Sequence, residues 1–128
     1  MKLGTFLSIV AVVSVLFGIA FVAAPVQTLA PYGIGANEYV AYMARFFGVA
    51  LFTLGLIVWF ARTITDAVGR RAILVGGLIG DVVGFCVALV GQLSGVTNTL
   101  GWSTVLIYGV FAVGFAYFQF GSQDRQRV

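Results

Sequence analysis

An all-α polytopic membrane protein, an antiparallel bundle of four transmembrane helices, is the fold class this sequence predicts, and three observations carry that expectation. Hydrophobic residues fill 61% of the 128 positions and charged residues only 9%, with a mean hydropathy of +1.09. Four apolar runs each approach the roughly 20 residues needed to cross a hydrocarbon core of about 30 Å. Between them lie both prolines, at 25 and 31, and the single interior charge cluster, RTITDAVGRR at 62–71. The runs occupy most of the chain and leave no room for a separate soluble domain, so residues 1–128 read as one membrane domain.

The first span covers 3–24, where Thr5, Ser8 and Ser14 are the only polar residues. Met1-Lys2 and Ala23-Ala24 also suit a signal peptide, but the apolar region exceeds the usual ~7–15 residues and Pro25 would follow the cut. A retained first helix is therefore expected. Residues 25–38 carry both prolines and two glycines, which predicts a loop. Tyr32, Tyr39 and Tyr42 gather there as aromatic rings do at headgroup level.

Asn37 is placed to cap the second span, 39–62, with Glu38 where the helix dipole favours an anion. Trp59 anchors its far end. Asp66 is placed to cap the third span, 70–94, and Gly95 suits its C-terminus. Asn98 is the expected cap of the fourth span, 102–120, and the polar tail SQDRQRV follows.

The basic residues orient these spans. Lys2, then Arg62, Arg70 and Arg71, then Arg125 and Arg127 all fall on one side of a four-pass arrangement, while the loops at 25–38 and 95–101 hold no lysine or arginine. By the positive-inside rule both termini and the middle loop are expected to be cytoplasmic.

Small residues predict the packing surfaces. Gly77, Asp81, Gly84, Ala88, Gly91 and Gly95 follow one another at spacings of four and three, one stripe of a helix. Gly76, Gly80 and Gly84 add a GxxxGxxxG pattern that admits a neighbouring backbone. On the second span Gly48 and Gly55 are seven apart, with Arg45 read onto their stripe. Spans two and three, joined by a short loop, are expected to pack through these glycine faces. Leu78, Val82, Phe85, Leu89 and Leu93 would then meet lipid. Tyr108, Phe111, Phe115 and Phe118 form an aromatic stripe on span four, expected mainly to face lipid, with a pigment, a quinone or another subunit as the alternatives.

Ionisable groups at membrane depth cost about 2.5–3.5 kcal/mol each on insertion scales, which makes Asp81 and Arg45 the candidates for an intramembrane polar site. A direct pair is the simplest proposal, yet with the cytoplasmic ends aligned they differ by roughly 10 Å in depth and lean apart. Glu38, two turns back, and Gln92, at similar depth, are nearer company for Arg45. Asp81 would then rely on Ser14, Thr53 or Tyr108, or on carrying a proton. The bland reading of both residues is register for Asp81 and snorkelling for Arg45.

Other chemistry is short of parts. There is no histidine, and the single cysteine, Cys86, forms no pair within the chain and reads as a small apolar residue. No metal site, cofactor or catalytic activity is expected, and nucleic acid is not an expected partner; the lipid bilayer and other membrane subunits, or further copies of the chain, are.

Three families of this size lack their signatures here. Small multidrug exporters depend on a first-helix glutamate, fluoride channels on a Gly-Gly-x-Thr-Thr-Phe-Ser motif, and vitamin K reductase-like proteins on cysteine pairs. The segments LAPYG at 29–33, ARFFGVALFTLGLIVWFAR at 44–62, LIGDVVGF at 78–85 and GW at 101–102 instead resemble small, uncharacterised bacterial four-helix membrane proteins, broadly similar to the DoxX-like family. That resemblance implies a four-helix bundle and carries no assigned activity. Two functional readings follow: a non-catalytic bundle that oligomerises or serves as an accessory subunit, and a small proton-linked transporter or ligand-binding protein that uses Asp81.

Overall fold

A computed structural model describes residues 1–121. Among them the chain is all-helical: α1 (Leu3–Ala23), α2 (Pro25–Leu29), α3 (Glu38–Ala61), α4 (Ala67–Leu93) and α5 (Gly101–Ala116), with a 3-10 turn at Ala30–Tyr32 and a π-helical turn at Tyr117–Gly121. Four of these helical stretches, the last running to Gly121, are long and apolar enough to cross a membrane. Arg125, Arg127 and the rest of the tail lie outside the described residues.

The helix ends follow local chemistry. Val40 N donates to Asn37 Oδ1 at 2.9 Å and Gly69 N to Asp66 Oδ2 at 2.7 Å, so both expected caps satisfy an orphan amide of the first turn. Gly95 closes α4 at φ +76°, where Gly95 N donates to Gln92 O and Val96 N to Gly91 O. This is the Schellman arrangement, and its left-handed residue favours glycine.

Two ends differ from expectation. The segment after α1 is not simply a loop: Pro25 needs no amide partner at the first position of the short α2. Thr28 Oγ1 donates to the carbonyls of Ala20 and Ala24, tying α2 to α1. Asn98 does not cap α5; its Oδ1 accepts from Leu100 N at 3.0 Å, a side-chain turn two residues long, and Leu100 takes the cap position.

The chain divides into two compact units, Met1–Thr63 and the part from Ile64 onwards. In the first, α1 packs antiparallel on α3. Buried or half-buried Gly4, Leu7, Ala11, Ser14, Gly18, Phe21 and Pro25 recur at spacings of three and four, and Ala41, Ala44, Gly48, Leu51, Gly55, Val58 and Arg62 do the same on α3. Such a repeat is the seam of a coiled-coil-like pair.

Its glycines sit at backbone contact. A Cβ on Gly18 would lie 2.6 Å from Phe52 N, one on Gly48 2.8 Å from Gly18 O, and one on Gly55 2.9 Å from Val15 N. Gly48 and Gly55 are therefore packing residues whose partner is the first helix, which corrects the expectation that they face the third. Bulk returns at one end, where Phe21 meets Phe47 edge-on at 5.2 Å.

In the second unit α4 packs antiparallel on α5 by a different device. The Phe115 ring fills the place of a Cβ on Gly77, 2.5 Å from its Cζ, and the Tyr108 ring fills that of a Cβ on Gly84. Large rings on one helix drop into notches on the other. Tyr108 and Phe115 are thus seated in the hairpin rather than facing lipid as expected, and Phe118 is buried as well. Phe85 also departs from the expected lipid face, lying 3.3 Å from the position of a Cβ on Gly109.

Candidate functional site

The sequence directs attention to Asp81, Arg45, Gln92 and Glu38, and the two hairpins share them. Glu38 and Arg45 belong to α3, while Asp81 and Gln92 belong to α4.

Glu38 occupies the first turn of α3, beside the Asn37 cap, where the dipole favours its charge. Arg45 is exposed. It follows Ala44, a seam residue, by one position and hence by about 100° around the helix. It therefore lies off the Gly48–Gly55 stripe, contrary to expectation. Glu38 and Arg45 form no ion pair among the described residues.

Gln92 serves the turn between α4 and α5. Its Nε2 donates to Asn98 O at 3.0 Å, and its Oε1 accepts from Thr97 Oγ1 at 2.7 Å. Thr97 Cβ would meet a Cβ on Gly101 at 2.7 Å, so residue 101 has to be glycine for this polar knot to close over the start of α5. An amide bonded at both its nitrogen and its oxygen within one turn acts as a structural fastener.

Asp81 is the residue that packing does not explain. It stands one turn from Gly77 and one turn from Gly84, so the Phe115 and Tyr108 rings seat on either side of it in the α4–α5 seam. Its Oδ2 is buried and has no hydrogen-bond partner. Tyr108 lies within electrostatic range of the carboxyl. An orphaned buried carboxyl oxygen costs about 1–3 kcal/mol or more, so this arrangement opposes stability where it stands. Chemically it can hold a proton or accept from a donor supplied by a ligand or another helix.

The remaining small residues of α4 divide into two groups. Gly77 and Gly84 receive rings and Ala88 is half-buried on the same flank, whereas Gly76, Gly80 and Gly91 have no atom within 4 Å of a Cβ position. Gly80 and Gly91 are thus not packing positions within this hairpin. The GxxxGxxxG pattern straddles two flanks, Gly84 turned to α5 and Gly76 and Gly80 open.

Sequence reasoning missed two features. Gly18 is as tightly packed as Gly48, and its signal, the recurrence of Ala11, Ser14 and Gly18 at three and four, was present. Gln119 is 6% exposed within the π-helical turn; a lone amide in an aromatic run gives no periodic signal. Among the described residues no cluster of His, Cys, Asp or Glu suits a metal ion.

No curated protein and no solved structure matches the chain. A family model does match, over residues 1–117, and by that match the chain belongs to the family described as Domain of unknown function (DUF8292).

Proposed function

We propose that this protein is a non-catalytic integral membrane protein that assembles with further copies of itself or with other membrane subunits. One observation carries the reading: Gly76 and Gly80, four apart on α4, are exposed with nothing within 4 Å of their Cβ positions, while Gly77 and Gly84 are filled by rings of α5. In lipid, two glycines one turn apart offer little side chain to acyl chains and admit another helix backbone, which is how small-residue faces associate. The basic residues at 2, 62, 70 and 71 support an orientation with the N-terminus and the α3–α4 turn cytoplasmic. The test is migration of the native protein in mild detergent beside Gly76→Ile/Gly80→Ile. A larger assembly or a co-purifying subunit that the double variant loses is the expected result; a single chain without partners in both overturns it.

A second reading, a small proton-linked transporter or ligand-binding protein, is favoured by the unpartnered Oδ2 of Asp81. Polar groups kept at membrane depth despite their cost mark transport paths often enough to make this the alternative. Asp81→Asn should then abolish a proton-coupled flux or ligand signal in vesicles, and an unchanged signal removes the reading.

A further inference from the structure

We propose that the first turns of α4 bind an anionic phospholipid, its headgroup phosphate on Arg71 and one acyl chain along the helix; the proposal rests on the membrane-spanning reading. A depression there is lined by Ala67, Val68, Arg71, Ala72 and Val75. Among the described lining residues Ala67, Val68, Ala72 and Val75 are small or apolar, and Arg71 carries the charge.

Arg71 is exposed and makes no hydrogen bond or ion pair among the described residues, so its guanidinium has donors to spare for a phosphate. The nearest acid in sequence, Asp66, is already engaged at 2.7 Å by the amide of Gly69. With Arg62 and Arg70 nearby in sequence the segment remains net positive, which suits an anionic rather than a zwitterionic headgroup.

The apolar path continues down α4 through Val75, Ile79, Val82 and Val83, the last three all exposed. From Arg71 to Val83 is about 18 Å at 1.5 Å per residue. One leaflet of a core of about 30 Å is about 15 Å deep. A headgroup at Arg71 therefore leaves an acyl chain room to lie along apolar helix for its whole length. Of the four candidate spans α4 has the smallest share of buried residues among those described.

The full chain, purified in neutral detergent and stripped of lipid, is titrated with phosphatidylglycerol, phosphatidylcholine or inorganic phosphate, and bound lipid is counted by native mass spectrometry. Phosphatidylglycerol should be retained about fivefold better than phosphatidylcholine, the ratio one interfacial arginine commonly provides. Arg71→Gln should abolish that preference at unchanged helicity. Ala72→Phe, which fills the depression and keeps the charge, should weaken retention of both lipids. Equal retention of the two lipids by the native chain, or an undiminished preference in Arg71→Gln, overturns the proposal. So does displacement of phosphatidylglycerol by millimolar inorganic phosphate, which would mark a simple anion site. Resistance of the native protein to carbonate extraction from membranes reports separately on the membrane-spanning reading.

Discussion

Gly84 and Tyr108 share one space: the tyrosine ring on α5 lies where a β-carbon on residue 84 of α4 would stand. The same holds for Gly77 and Phe115. Ring-into-notch contacts of this kind fix both the spacing and the register of the second hairpin.

Gly84→Ala and Gly77→Ala should each destabilise that hairpin by about 1–3 kcal/mol, the usual cost of overpacking. Tyr108→Ala in the Gly84→Ala background should recover part of the loss, since the clash is gone. Equilibrium unfolding in mixed micelles measures both, and additive losses in the double variant would contradict the contact.

The first hairpin should be less forgiving. At Gly18 and Gly48 the neighbour is backbone, at 2.6 and 2.8 Å, and backbone yields only if the helices part. Gly18→Ala and Gly48→Ala should cost at least as much as the ring contacts, about 2–3 kcal/mol. Gly76→Ala and Gly80→Ala, in open space, should stabilise the monomer by about 0.5–1 kcal/mol through helix propensity alone. The same unfolding assay, run where the protein is monomeric, separates the two classes.

At Gly95 geometry rather than space is limiting. Its φ of +76° penalises an L side chain by about 1–2 kcal/mol. Gly95→Ala should lose about that much and Gly95→Asn less. Hydrogen exchange at the C-terminus of α4 reads the difference as fraying.

Asp81 should behave unlike an ordinary buried polar residue. Because Oδ2 has no partner, Asp81→Ala should leave stability within about 1 kcal/mol of the parent or raise it. A loss beyond about 2 kcal/mol would reveal a donor that the carboxyl depends on.

Much of this fold was legible in the sequence because long apolar helices announce themselves by length and by what ends them. Asn37, Asp66 and Gly95 each act locally, through a bond reaching no more than five residues, so reading them required no knowledge of neighbours. Which helix meets which did require it. Gly48, Gly55, Gly77 and Gly84 were identified as packing residues, but a glycine shows only that something comes close, and the partners proved to be α1 and α5. The short α2 escaped notice because five residues are too few for periodicity. Asp81 stood out by its charge at membrane depth and Tyr108 is among its expected neighbours, whereas Phe115 on its other side came into view only with the register of α5.

The pairing of α1 with α3 has a consequence for synthesis. Every glycine contact of the first seam joins residues no later than Arg62, so the ribosome has supplied both faces before it translates α4. Since units that are complete in themselves fold first at the N-terminal end, the chain is suited to fold as two successive pairs, the earlier closed while the later is still being made.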